Sequence, residues 1–357
     1  MDKKVTYHEQ TDVDNTLRLR DVLKTLPPFC RDFFRAIEPR TTTKTRISYA
    51  YDIRIFFQFL LEQNPAFRDW SIDAFTVDVL DQITAVDLEE YEEYLKVYQA
   101  GDKTETNGER GLKRKMSSLR SFYAYYFKRE MIHTNPTVLV DVPKIHQKSI
   151  IRLEADEVAL LLDYIEHGGD ELTGQKKVYY EKTKDRDLAL VTLLLGTGVR
   201  VSECVGLDIE DVDFKNNGIK VTRKGGNEMF VYFGDEVAEA LKKYIEVRAG
   251  ITPVAGHEHA LFYSAQRKRI NVKTVENLVK KYASQVTTTK KITPHKLRST
   301  YGTTLYQETG DIYLVADVLG HKDVNTTKKH YAAMDDARRR QAATAVRLRE
   351  SMPEHEE

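Results

Sequence analysis

The chain has little of what metal centres, disulfide frameworks and membrane anchors require. Its 357 residues include two cysteines, Cys30 and Cys204, which lie far apart. Such a pair fits a reducing cytoplasm and excludes a disulfide framework. Neither HExxH nor CxxC spacing occurs, so we expect chemistry without a metal ion or another cofactor. No apolar run reaches the roughly 18 residues of a membrane-spanning helix. The first residues contain no apolar stretch of the kind that a signal peptide needs, so we expect a cytoplasmic protein.

Charge is balanced in total but separated along the chain. The 55 basic residues equal the 55 acidic residues in number, and this neutral total, taken alone, argues against a nucleic-acid partner. The position of the charges matters more than their sum. Acidic residues cluster in 86–95, 153–166 and 353–357, and basic residues cluster in 105–129, 266–273, 288–298 and 337–340. This separation is compatible with a DNA-binding face and a solvated back.

The first third of the chain is predicted to be helical, with helices at 15–26, 28–38, 42–63, 84–99 and 108–131. The third helix carries an apolar stripe with the 3.6-residue period of an amphipathic helix: Ile47, Ala50, Ile53, Phe57, Leu60 and Leu61. The last helix is predicted to pack its aromatic residues inward: Phe122, Tyr123, Tyr126 and Phe127. Its cations are predicted to face outward: Arg110, Lys113, Arg114, Lys115 and Arg120. They form either an ordinary solvated face or a surface that lies on DNA phosphates.

Two domains are predicted. A helical N-terminal domain spans 1–142, a linker with two prolines and no helical period spans 143–152, and a second domain spans 153–357. The only clear strand pattern is 211–234, where the sequences NNG and KGGN form two hairpin turns. The remaining helices are predicted from about 154, within the apolar stretch 183–207 up to a helix end near 196–198, and at 235–249, 272–286, 294–308, 311–319 and from 324 onward. The fold class is therefore mainly α with one small antiparallel sheet.

Five places in the second domain carry residues that are weak signals alone and specific together. Arg200 follows a helix that ends at a Thr-Gly pair, and Glu203 lies one helical turn later. Lys224 lies at the tip of the second hairpin. His295 and Arg298 share a helix face behind a proline. The final two are His321, just beyond a helix-ending glycine, and Tyr331, ten residues further on within a basic stretch.

In this order, the residues match the needs of one reaction, the attack of a tyrosine on a DNA phosphodiester. Arg200 and Arg298 can hold the non-bridging phosphate oxygens, because guanidinium groups bind them bidentately and are always charged. Lys224 can protonate the leaving 5′-oxygen as a general acid. His295 can help to remove the phenol proton, and His321 can donate a hydrogen bond to the phosphate. Tyr331 is the predicted nucleophile, and its basic surroundings favour the phenolate.

The sequence resembles the tyrosine recombinase (phage integrase) family. The matching stretches are GTGVRVSE (196–203), VTRKGGNEMFVYF (221–233), TPHKLRST (293–300) and LGHKDVNTTKKHY (319–331). The resemblance implies the active-site set Arg200, Lys224, His295, Arg298, His321 and Tyr331, with Glu203 in support. The spacing from His321 to Tyr331 is one residue longer than in the best-known Xer proteins, which leaves the subfamily open.

The same resemblance implies a fold and partners. The N-terminal domain resembles the family's core-binding domain, which closes a C-shaped clamp on double-stranded DNA together with the catalytic domain. Two protomers would bind the inverted arms of a short site, and two sites would synapse as a homotetramer. The helix after Tyr331 would dock into a neighbouring subunit, or else pack on its own domain. Phosphate contacts are expected from the basic patches at 110–120, 266–273 and 288–291, which add Arg267, Lys268, Arg269, Lys290 and Lys291 to the helix cations.

Several functions remain open at this level. One alternative is a Xer-type recombinase that resolves chromosome dimers and has a regulatory translocase as its partner. The other is the integrase of a mobile element, controlled by a directionality factor. The length of the segment before the core-binding domain resembles single-protein Xer systems. A type IB topoisomerase shares the chemistry but ignores sequence. A DNA-binding protein without catalysis is the remaining alternative, and the intact six-residue set argues against it.

Overall fold

The computed structural model describes residues 6–146, 150–223, 226–321, 323–325 and 327. The chain divides into two compact units, residues 1–148 and 149–357. The predicted linker, 143–152, contains this division. Each unit has its own buried core.

The first unit consists mainly of five helices. They are α1 (Tyr7–Leu23), α2 (Cys30–Ile37), α3 (Thr43–Gln63), α4 (Ala85–Lys96) and α5 (Glu109–Lys128). The predicted stripe of α3 is buried at Ile47, Ala50, Ile53, Phe57 and Leu60. The helix packs against α1 and α5, so its apolar stripe forms the centre of this unit.

The aromatic residues of α5 fill the same core, with one exception. Phe122, Tyr123 and Tyr126 are fully buried, whereas Phe127 is 47% exposed. The prediction that Phe127 packs inward was therefore wrong. Around the helix axis, residues 122, 126 and 123 lie at about 0°, 40° and 100°, and residue 127 lies at about 140°, beyond the edge of this buried face.

A short hairpin that the sequence did not predict joins α4 to α5. Its strands are β1 (Val97–Ala100) and β2 (Lys103–Thr106), and they pair antiparallel. The predicted helix 84–99 ends at Lys96, because Asn107 satisfies the carbonyls at its end. The Asn107 side-chain amide donates to the Leu95 carbonyl at 2.7 Å, and its backbone N–H donates to the Lys96 carbonyl at 3.2 Å.

The second unit surrounds the buried second half of one long helix with shorter helices and a small sheet. The helices are α6 (Ala155–His167), α7 (Gly174–Thr197), α8 (Val201–Gly206), α9 (Asp235–Ala249), α10 (Val272–Val286), α11 (Pro294–Thr309) and α12 (Ile312–Leu319). The strands β3 (Val212–Asp213), β4 (Gly218–Thr222) and β5 (Glu228–Tyr232) form an antiparallel sheet in the order β3-β4-β5. Helix α7 packs against α6, α9 and α11, which explains why its second half is apolar all round.

Among the described residues, no helix combines the length and the apolar character that crossing a membrane requires. Within the same residues, no cluster of three or more His, Cys, Asp or Glu side chains is arranged to hold a metal ion.

Candidate active site

The first arginine of the site is placed by a break between two helices. Helix α7 ends at Gly198, which has a left-handed backbone with φ of 61°, and Arg200 then forms the N-cap of α8. Buried Glu203 fixes this arginine twice. Its Oε2 accepts the Arg200 backbone N–H at 2.8 Å, and its Oε1 accepts Nη1 at 2.7 Å. The side chain of Arg200 remains 37% exposed, so it is held firmly and is still accessible.

Glycine is required at position 198 for space as well as for backbone geometry. A Cβ atom there would lie 2.3 Å from the Tyr301 ring and 3.0 Å from the Leu319 side chain. The turn after α7 is therefore pressed against both α11 and α12. This close approach brings the start of α8 to the end of α12.

The second arginine lies in α11, one turn after His295. Arg298 is buried, with 7% of its surface exposed. A buried charge needs polar partners, and its two Nη groups donate to the carbonyls of Gly198 and Leu319. Arg298 thus ties the end of α7 to the end of α12. His295 is on the first turn of α11 and is exposed.

The end of α12 has the hydrogen bonds of a Schellman motif, which explains the Leu-Gly-His sequence. Gly320 is left-handed, with φ of 62°. Its N–H donates to the Asp317 carbonyl at 2.8 Å, and the His321 N–H donates to the Ala316 carbonyl at 2.9 Å. The His321 ring is fixed as well, since Nδ1 lies 2.7 Å from the hydroxyl of fully buried Thr327.

Three arginines donate to the carbonyls that the two hydrogen bonds of this motif do not use. Arg298 bonds to the Leu319 carbonyl, Arg200 Nη2 to the Gly320 carbonyl at 3.2 Å, and Arg223 Nη2 to the Val318 carbonyl at 2.8 Å. The last carbonyls of a helix lack intrahelical partners and carry partial negative charge. The C-terminal end of α12 is therefore a natural anchor for a cluster of cations.

Other nucleophiles near this cluster are poorly placed. Burial raises the pKa of the Cys204 thiol to about 12, and Glu203 adds to the rise, so the thiol is neutral at physiological pH. Tyr306 is buried. Tyr313 is 71% exposed, but it lies seven residues before Gly320, which is about 10 Å along a helix axis. Their burial or position argues against Cys204, Tyr306 and Tyr313 as the nucleophile.

Comparison with known proteins identifies the family. A model described as the phage integrase family matches residues 152–338, more than half of the chain. The chain belongs to the phage integrase family. It is thus a tyrosine recombinase, an enzyme that transfers DNA strands.

The relatives of this recombinase include proteins of the Xer type. Tyrosine recombinase XerC of Caldanaerobacter subterraneus is 34% identical, with 88% of this chain and 86% of the relative covered. Tyrosine recombinase XerS of Streptococcus uberis is 29% identical, with 87% and 93% covered. Among solved structures, the site-specific recombinase XerH bound to palindromic difH substrate, in a post-cleavage complex, matches with a TM-score of 0.62. Its sequence identity is 21%, and the match covers 85% of this chain and 80% of that chain. At this sequence identity, the structural similarity shows a shared fold and nothing beyond the fold.

Two members of the predicted catalytic set, Lys224 and Tyr331, lie outside the described residues of the recombinase. The helix predicted after Tyr331 also lies outside them. The structure brings Arg200, Glu203, Arg298 and His321 together at the end of α12. It adds Arg223, which sequence reasoning missed because its acceptors are backbone oxygens that no side-chain pattern reveals.

The cations predicted to face outward from α5 fall into two groups. Arg110 and Lys113 are exposed. Lys115 is 6% exposed, and its ammonium donates to the Asn107 side chain at 2.8 Å. Arg120 donates to the carbonyls of Thr137 and Val140. The prediction that Lys115 and Arg120 face outward was wrong, because both cations donate hydrogen bonds to oxygens within the first unit.

Arg114 is intermediate between these two groups. Its guanidinium is 48% exposed and forms an ion pair with buried Asp52. The cation therefore compensates a buried carboxylate while part of its surface remains in water.

The two basic patches of the second unit also contain both exposed cations and cations that are bonded within the fold. Arg267 and Lys268 are exposed in a tight turn. The next residue, Arg269, holds this turn by donating to the carbonyls of Val205 and Leu207 at 3.1 and 2.7 Å. Arg269 also pairs with Asp208. In the other patch, Lys291 is exposed and Lys290 forms an ion pair with Glu157. Arg269 and Lys290 thus serve the fold of the recombinase.

Proposed function

We propose that this recombinase cuts and rejoins DNA at a specific site through a 3′-phosphotyrosine on Tyr331. The observation that carries the proposal is the anchoring of Arg200 and Arg298 on consecutive carbonyls of one helix end. Guanidinium groups held in this way are organised before the substrate arrives. Stabilisation of developing phosphate charge by such fixed donors is a major source of catalysis.

The proposed chemistry assigns each proton. The Tyr331 oxygen attacks phosphorus, a bond forms between them, and the bond from phosphorus to the 5′-oxygen breaks. His295 accepts the phenol proton, and Lys224 gives a proton to the leaving 5′-oxygen. The phosphotyrosine keeps the energy of the broken bond, so a 5′-hydroxyl from another strand can reverse the step and join the strands through a Holliday junction.

The remaining residues of the set support the phosphate. Arg200 and Arg298 hold its non-bridging oxygens, and Glu203 keeps Arg200 in place. Thr327 fixes the His321 ring through Nδ1. We assign the protonated nitrogen to Nε2, which then donates to the same phosphate.

DNA contacts are proposed for the cations that the fold leaves exposed: Arg110, Lys113, Arg267, Lys268 and Lys291. Arg114 is a further candidate through its exposed half. In this proposal two protomers bind the inverted arms of one site, and two sites synapse as a homotetramer in which a C-terminal helix is exchanged between neighbours.

For the biological role we propose resolution of chromosome dimers in the cytoplasm, with a regulatory translocase as a partner. Its support is the similarity to proteins named XerC and XerS over most of their length. The alternative is an integrase or excisionase of a mobile element, controlled by a directionality factor. Its support is the family model itself, together with the longer spacing from His321 to Tyr331.

The test is covalent trapping on DNA. A nicked duplex that carries an inverted-repeat sequence bound by the protein is incubated in EDTA with the wild type, Tyr331→Phe and Tyr313→Phe. The wild type and Tyr313→Phe should form a slow-migrating protein–DNA adduct, and Tyr331→Phe should form none. An adduct with Tyr331→Phe would refute the assigned nucleophile. Binding without any adduct would favour a DNA-binding protein without catalysis.

A further inference from the structure

Arg223 closes the hairpin that contains Lys224. The Arg223 backbone N–H donates to the Asn227 carbonyl at 2.7 Å, and the Gly226 N–H donates back to the Arg223 carbonyl at 3.0 Å. These bonds come directly after the last paired residues of β4 and β5. Arg223 is thus the last residue before Lys224 that the sheet fixes.

The Arg223 side chain leaves the sheet and reaches the end of α12. Its Nη2 donates to the Val318 carbonyl at 2.8 Å, and Nη1 lies 3.5 Å from the Asp317 carbonyl. One guanidinium group therefore joins the hairpin to the same helix end that anchors Arg200 and Arg298. The Cα atoms of consecutive residues are about 3.8 Å apart, so this joint lies one residue away from Lys224.

The space around the Arg223 side chain depends on the glycine at position 320. A Cβ atom on Gly320 would lie 1.5 Å from Arg223 Nη1, so the guanidinium occupies the space that the glycine leaves. Its Nε is buried and has no hydrogen-bond partner among the described residues. Desolvation lowers the pKa of Arg223, Glu203 opposes this effect, and Arg200 adds to it. An unsatisfied buried donor costs free energy, so general fold stability alone is a poor explanation for Arg223.

We propose that Arg223 is a positioning residue for strand cleavage. By fixing the hairpin to the end of α12, it sets the place of Lys224 relative to the arginines that hold the phosphate. The inference rests on the proposed function, in which Lys224 is the general acid. Arg223 itself does not touch the substrate in this scheme.

The proton given to the leaving group provides a selective test. When Tyr331 attacks an ordinary phosphodiester, the 5′-oxygen leaves and takes a proton from Lys224. When sulfur replaces that bridging oxygen, the leaving group departs as a stable thiolate and needs no proton. Loss of the acid, or loss of its position, should therefore harm cleavage of the oxygen substrate alone.

The experiment compares cleavage of the two substrates by the full-length wild type, Arg223→Ala, Arg223→Lys, Lys224→Ala and a control, Lys220→Ala. Lys220 lies on β4 and pairs with Glu228 on the surface, so its variant should resemble the wild type. Loss of a general acid typically slows a reaction by about 10²-fold or more, and we expect a loss of this order for Arg223→Ala and Lys224→Ala on the oxygen substrate. With sulfur, both should cleave within a few-fold of the wild type. Arg223→Lys should be intermediate with oxygen, because lysine offers one point charge in place of a fork.

The two ways of failing are distinct. If sulfur rescues Lys224→Ala but not Arg223→Ala, Arg223 acts on the phosphate or on the fold, and the positioning role is wrong. If sulfur rescues neither variant, the acid role of Lys224 in the proposed function is wrong, and the inference fails with it. Thermal unfolding verifies that Arg223→Ala folds; if it does not, Arg223→Lys takes its place, and an equal defect on both substrates overturns the proposal.

Discussion

Gly320 is the residue that admits the arginine cluster. It ends α12 with a left-handed backbone, and it leaves the space that the Arg223 guanidinium fills. Any side chain at this position therefore meets two separate penalties. One is backbone strain, and the other is a collision with a charged group.

A double-mutant cycle separates these penalties. Gly320→Ala should destabilise the protein by more than about 2 kcal/mol, because the left-handed conformation alone costs roughly 1–2 kcal/mol. In an Arg223→Ala background the same substitution should cost only this strain. Thermal or urea unfolding of the four proteins gives the coupling energy. Gly250→Ala is the control, since its Cβ would make only ordinary contact at 3.5 Å. Equal costs in the two backgrounds would contradict the collision.

The residues of the site differ in how far the sequence predicts their places. The helix-ending glycine before His321 and the break before Arg200 were predicted correctly, because glycine and helix-end patterns are local. The role of Arg223 was not predictable, since its partners are peptide oxygens 94 and 95 residues away in the chain. The basic stretches in the sequence do not distinguish cations that are hydrogen-bonded within the protein from cations that are exposed to solvent.

Helix α5 shows this separation within a single element. Lys113 is exposed, whereas Lys115 is buried and bonded to Asn107. The two lysines are two residues apart, so they point about 200° apart around the helix. Although they belong to one basic stretch, one faces water and the other stabilises the start of the helix.

We expect these two lysines to differ in salt dependence. If Lys113 contacts a phosphate, Lys113→Ala should reduce the slope of log K against log salt for DNA binding by about 0.9. Lys115→Ala should leave the slope unchanged and lower the thermal stability, because Asn107 loses its partner. Fluorescence anisotropy over a salt series measures the first effect, and thermal unfolding measures the second. Identical slopes for Lys113→Ala and wild type would remove Lys113 from the DNA surface.

Elements with a buried face were predicted well, and the exposed hairpin was not. Helices α9, α10 and α11 agree with their predicted spans to within one residue, and an apolar stripe marks α9 and α10. The strands β1 and β2 are almost wholly exposed. They therefore lack the apolar alternation by which a strand is predicted. The start of α7 was missed for a similar reason, because its first ten residues are mostly polar.

For the whole molecule, the division into two units gives a further test. We expect brief trypsin treatment to cut first within the predicted linker, after Lys144, Lys148 or Arg152, because few contacts cross a domain boundary. Mass spectrometry of the fragments identifies the cut. A Lys144→Gln/Lys148→Gln variant should be cut more slowly at this place. Circular dichroism should show that this variant is as well folded as the wild type. A first cut inside α3 or α7 would contradict the predicted domain limits.

The use of peptide oxygens as anchors has a consequence for redesigning the enzyme. Because Arg223 bonds to the main-chain carbonyls of Asp317 and Val318, these hydrogen bonds do not depend on which side chains those two residues carry. Asp317 is exposed and Val318 is partly exposed. A laboratory library can therefore vary these two positions while the hydrogen bonds of Arg223 are kept, whereas a side chain at position 320 meets both backbone strain and the Arg223 guanidinium. The end of α12 thus offers adjustable chemistry next to a constant backbone, which is a suitable starting point for selecting recombinases with altered properties.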